Sequence, residues 1–104
     1  MKIFKCIPKQ VVIGWQTYDV DFKSPDTHLV GEVKEGVFLG DIYYSQSLIV
    51  INNTPDEDVM ESTLLHEIIH GIDNFMTIGL DEDTISKISD GLSLFIAQNP
   101  GLLR

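Results

Sequence analysis

The chain has 104 residues, 43% hydrophobic and 22% charged, the composition of one folded domain with a modest core and no length for a second. Its net charge of -9 and pI near 4.4 exclude a cationic surface suited to nucleic-acid phosphates or an anionic membrane. Cys6 is the one cysteine, without an internal disulfide partner.

No run approaches the ~20 apolar residues of a membrane span. Met1 to Pro8 lacks the apolar stretch and cleavage site of a signal peptide, so a cytoplasmic location is expected by default.

In chain order, the first half reads as strands. Gln10 to Phe22 is rich in Val, Ile, Trp, Tyr and Phe and is broken at Gly14. Trp15 reads as a core or sheet residue. Ser24-Pro25-Asp26 signals a turn, His28 to Val33 is a short apolar run, and Lys34-Glu35-Gly36 reads as a hairpin turn into Val37 to Leu39. Gly40-Asp41 reads as an interruption. Ser47 to Ile51 is the most strand-like run of all.

The second half reads as two helices. Thr54-Pro55-Asp56-Glu57 predicts the first, with Thr54 as N-cap, Pro55 in the first position and Glu57 closing a capping box. It is expected from Pro55 to Met76, with Leu64, Leu65, Ile68, Ile69, Ile72, Phe75 and Met76 on its core side. Asp81 predicts the cap of the second helix, with Leu80 and Ile85 as a hydrophobic staple. That helix is expected to end at Asn99-Pro100-Gly101. Its apolar side is Ile85, Ile88, Leu92, Phe95 and Ile96. A different side carries Glu82, Ser86, Ser89, Asp90, Ser93 and Ala97, small enough for another element to come close. The acidic runs at Asp56 to Glu61 and Asp81 to Asp83 are mostly helix-start signals. The expected fold class is therefore α+β, a small, mostly antiparallel sheet from the N-terminal half packed on two C-terminal helices.

His66-Glu67-Ile68-Ile69-His70 is an HExxH sequence. Residues four apart on a helix lie above one another, so two imidazoles can converge on one Zn2+ ion per chain. Glu67 is turned about 100° from His66, where it reaches a metal-activated water as general base rather than the metal. Such a site needs a third protein ligand. The long metzincin pattern would place Gly and His where this chain has Asp73 and Met76, which excludes that class. Carboxylates remain, and Glu82 is favoured over Asp83, Asp81 and Asp73. Asp73 lies about 10 Å along the axis from His66, which suits a supporting hydrogen bond better than metal ligation. Tyr43, Tyr44 and His28 are candidate oxyanion donors, with sheet packing as the plainer role of the tyrosines.

The run Leu-Leu-His-Glu-Ile-Ile-His-Gly-Ile-Asp, then Gly-Leu-Asp-Glu-Asp and a helix ending Asn-Pro, resembles the very small gluzincin-type metallopeptidases of bacteria and bacteriophages. These are related to peptidases that act on phage repressors, and the resemblance covers roughly Val37 to Pro100. It implies zinc held by His66, His70 and a glutamate mapping to Glu82. It also implies a carboxylate one turn later supporting the first histidine, where this chain has Ser86, with Asp90 a further turn on. The implied partner is a peptide or protein substrate, such as a regulatory protein of a phage or bacterial cell, extended along an edge strand over Gly36 to Asp41. Two other readings stand beside peptide hydrolysis. One is a non-catalytic zinc-binding interaction module. The other is a latent peptidase blocked by its N-terminal segment or by Gly101 to Arg104.

Overall fold

The computed structural model describes residues 3–23 and 39–102. It has four strands, β1 (Gln10–Ile13), β2 (Gln16–Lys23), β3 (Gly40–Tyr43) and β4 (Leu48–Asn52), then two helices, α1 (Glu57–Met76) and α2 (Glu82–Gln98). The fold is α+β as expected, a mostly antiparallel sheet in the N-terminal half against two C-terminal helices. The strand order is β1-β2-β4-β3. β1 pairs β2 and β3 pairs β4 antiparallel, but the central pair β2–β4 is parallel, so the order is not a meander. No described helix is long and apolar enough to cross a membrane. The turn at Ser24-Pro25-Asp26, the run from His28, the turn before Val37 and the first half of the Gly36 to Asp41 strand lie outside the described residues.

The β1–β2 turn is Gly14-Trp15, with Gly14 at φ +64, a left-handed conformation that glycine takes at low cost. A Cβ there would also lie 2.3 Å from the Phe75 ring. Gly40-Asp41 does not interrupt the sheet but begins β3. Glycine serves there because a Cβ on Gly40 would lie 2.6 Å from Thr63 Cγ2 on α1. The strand thus runs tight against the helix. β4 is buried from Ile49 to Asn52, as its near-continuous apolar run and central place require.

α1 is the middle layer. Leu64 packs on the sheet with Ile13, Tyr18, Val20, Ile42, Ile49 and Ile51. Leu65 and Ile69 pack on the other side with Ile3 and Ile85. Covering α1 on two sides changes the expected division of its faces. Glu61, Thr63 and Glu67, none of them among the expected core-side residues, are buried, whereas Ile72 and Met76, which are among them, are 41% and 60% exposed. Glu61 accepts the backbone N–H groups of Ile3 and Phe4, tying the N-terminal segment to α1.

The α1 cap is also corrected. The Asp56 side chain accepts the N–H of Val59, and the helix starts at Glu57 rather than Pro55. Thr54 cannot cap because its N–H and hydroxyl are both given to Asn52 Oδ1, in a turn leaving β4. Asp81 caps α2 by accepting from Thr84, as expected. Leu80 and Ile85 join the second core cluster. α2 turns its small side inward. Ser89 and Ser93 are buried against α1, while Ile88, Leu92 and Phe95 from its apolar side stay exposed. Serines let the two helices approach more closely than a leucine ridge would.

Candidate metal centre

His66 and His70 stand one turn apart on α1, half-buried, with ring centroids 4.9 Å apart. α2 folds back so that its first residue, Glu82, faces both. Glu82 Oε2 lies 2.9 Å from His66 Nε2 and Oε1 lies 2.8 Å from His70 Nε2. The ligand atoms of these three residues all fall within 4.8 Å of one another, and the group could hold a metal ion. The donor set fits, since two imidazole nitrogens and one carboxylate oxygen suit a divalent transition metal with a coordination position left open. Ligands about 2.0–2.1 Å from a tetrahedral ion stand roughly 3.4 Å from one another. The carboxylate–imidazole contacts are a few tenths of an ångström shorter, so Glu82 need only draw back slightly to admit an ion.

Burial works to raise the Glu82 carboxyl. The His70 hydrogen bond, the electrostatic attraction of His66 and the Ser86 hydroxyl together outweigh it and hold the carboxyl below its ordinary value. Ser86 donates to Glu82 Oε2 at 3.1 Å, and Ser89 Oγ lies 3.5 Å from His66 Nδ1.

The other acids are engaged elsewhere. Asp81 caps α2, and Asp83 pairs with Lys87 at 3.0 Å on the solvent side. Asp73 accepts the backbone N–H groups of Gly79 and Leu80, which fastens the connection ahead of Glu82. Asp90 is exposed on α2 and outside the group.

Glu67, adjacent to His66, is 6% exposed. Burial, then the negative charges of Asp41 and Glu82, push its carboxyl up to about 8. Tyr43 is pushed up to about 12, by burial first, then by the charge of Asp41 and a hydrogen bond with it, and by Glu67. Burial, with Glu67 next, also raises Tyr44. Of these two candidate oxyanion donors, Tyr44 donates its hydroxyl to the His70 backbone carbonyl at 3.4 Å. The hydroxyl of Tyr43 is engaged with Asp41.

β3 forms one edge of the sheet among the described residues. Asn52 N–H donates to Leu39 O at 2.8 Å, and the register pairs Asp41 with Val50 and Ile42 with Ile49. In that pattern Gly40 and Ile42 direct their N–H and C=O groups away from β4. The outward N–H of Ile42 is covered by Asp41 Oδ1 at 2.9 Å. Asp41 is the residue that sequence reasoning missed here, and Ser89, although placed on the Glu82 side of the second helix, was given no role toward His66. Asp41 precedes Tyr43 by two, the spacing of one strand face, but its place directly after Gly40 gives it the look of a break. Scans against protein-family models, curated proteins and solved structures return no match for the chain.

Proposed function

We propose that the chain is a zinc-dependent peptide hydrolase. The observation that carries this reading is the convergence of His66, His70 and Glu82 beside a buried carboxyl, Glu67, raised to about 8. A structural metal site has no use for such a group, whereas a general base works best with a pKa near the operating pH. Zinc, when bound, supplies a Lewis acid that polarises a peptide carbonyl and acidifies water.

Glu67 takes the proton from the attacking water and passes it to the nitrogen of the departing amine. Its burial keeps bulk water from competing for that proton. The substrate backbone pairs with the outward groups of Gly40 and Ile42 on β3, by strand addition. The substrate class implied by the motif resemblance is a regulatory protein of a phage or bacterial cell.

The test is elemental zinc analysis of wild type, Glu82→Ala and Glu67→Gln, with cleavage assays on an unstructured peptide library. The expected result is near one zinc per chain in wild type and in Glu67→Gln, far less in Glu82→Ala, and cleavage by wild type alone. Cleavage by Glu67→Gln at the wild-type rate would overturn the assignment of the base. Binding of a hydroxamate chelator separates an open metal position from a closed structural one.

A further inference from the structure

We infer that Ser89 is the positioning residue for His66, and that its hydroxyl serves Nδ1 of that ring in two opposite senses. The inference rests on the metal centre proposed above, but not on peptide hydrolysis. Ser89 is 2% exposed, so its hydroxyl must find partners within the protein. It has two, His66 Nδ1 at 3.5 Å and the Ser86 carbonyl oxygen at 3.2 Å.

The partners of the ring fix the rest. A carboxylate only accepts, so the 2.9 Å contact between Glu82 and His66 Nε2 needs a proton on Nε2. In the neutral ring Nδ1 is then a bare acceptor, and the Ser89 hydroxyl donates to it. With a metal held through Nε2, the neutral ring would carry its proton on Nδ1 instead. Ser89 Oγ would then accept a hydrogen bond from Nδ1–H, with its own O–H turned to the Ser86 carbonyl. No proton is gained or lost in the exchange.

A carboxylate in place of Ser89 could only accept, and would hold the ring in its metal-ready form at all times. The serine accommodates both the closed pair with Glu82 and the metal-bound ring. Ser86 contributes to both ends, through its carbonyl to Ser89 and through its hydroxyl to Glu82. The face Glu82–Ser86–Ser89 of α2 therefore carries the third ligand and the orienting groups for two ligands together.

The test uses the full chain in three forms: wild type, Ser89→Ala and Ser93→Ala. Ser93 is buried on the same helix face, with a hydroxyl that has no partner among the described residues, and controls for packing. Zinc affinity is measured by chelator competition, and the His66 ring by nitrogen-15 NMR. The expected result is zinc binding about tenfold weaker in Ser89→Ala and unchanged in Ser93→Ala. In wild type the ring proton should sit on Nε2 without metal and on Nδ1 with zinc. The Nδ1 proton should exchange slowly in zinc-loaded wild type and fast in Ser89→Ala.

Equal affinity and equal exchange in wild type and Ser89→Ala would overturn the inference while leaving the metal centre intact. Zinc binding without peptide cleavage would overturn the hydrolase reading and leave the role of Ser89 standing. A wild type that binds no zinc would overturn both.

Discussion

Asp73 accepts the backbone N–H of Leu80 at 3.0 Å, two residues before Glu82. The same oxygen accepts Gly79 N–H at 2.8 Å, and Gly79 sits at φ +88. The α1–α2 connection is thus fastened to α1 one turn beyond His70, and this sets where α2 begins. Asp73→Ala is expected to cost about 1–2 kcal/mol of stability through the two lost acceptor bonds. It should also weaken zinc binding about tenfold, because Glu82 loses its register over the histidines. Asp73→Asn keeps an acceptor oxygen and should lose less of both. Denaturant unfolding and chelator competition on the three proteins check this, and unchanged zinc affinity in Asp73→Ala would remove Asp73 from the site's support.

Much of the centre was legible because it rests on local spacing. The His66–His70 interval fixes a helical turn, and the Ser86 and Ser89 side of α2 identified which of three adjacent acids would face α1. Long-range features were not legible. The parallel β2–β4 pairing joins segments far apart in the chain, and periodicity within either segment carries no information about it. The place of α1 as a middle layer decides that Glu67 is buried, although helical periodicity puts it off the apolar stripe, whereas Glu61 falls within that stripe and only its charge gives it the look of a helix-start residue. Gly40-Asp41 has the composition of a break, and only the close pass of β3 beside Thr63 explains a glycine within a strand.

Glu67 gives the metal-free protein a pH-dependent stability. Its folded-state carboxyl is raised from 4.5 to about 8 by burial, with Asp41 and Glu82 adding to it. Across that window the native state binds more protons than the unfolded state, so stability falls as pH rises and levels off above it. Every pH unit crossed inside the window costs the folded state at most about 1.4 kcal/mol. Glu67→Gln has no carboxyl to ionise and should be increasingly more stable than wild type from about pH 5 to about pH 8. Thermal unfolding in the presence of a chelator checks this. Parallel pH curves for the two proteins would mean that Glu67 ionises freely in the folded state.

Metal binding should stabilise the chain and do so more strongly as pH rises. Zinc at a thousandfold excess over its Kd adds about 4 kcal/mol to a protein that binds it only when folded. Metal ligands bind in their deprotonated forms, so binding releases protons, and the closed contacts of Glu82 with both rings must open to admit the ion. The rise in Tm on adding zinc should therefore be larger at about pH 8 than at about pH 6. Glu82→Ala should lose most of the rise at both. A Tm increase in Glu82→Ala equal to that of wild type would place the ion elsewhere.

Asp41 links the edge strand to Glu67, and two substitutions separate its two effects. Its carboxylate covers the outward N–H of Ile42, and its charge helps to raise Glu67. Asp41→Asn removes the charge but keeps an acceptor oxygen for Ile42. Asp41→Ala removes both. The acidic limb of kcat/KM should move to lower pH in both variants, because Glu67 then loses its proton more readily. KM should fall only in Asp41→Ala, where Ile42 N–H is released to the incoming strand. One backbone hydrogen bond is worth about 0.5–1.5 kcal/mol, or roughly two- to tenfold in KM. The measurement is a pH profile on one cleaved peptide for the three proteins. A shared acidic limb would show that Asp41 does not govern the base, and an equal KM in Asp41→Ala would show that the substrate does not pair with β3 at Ile42.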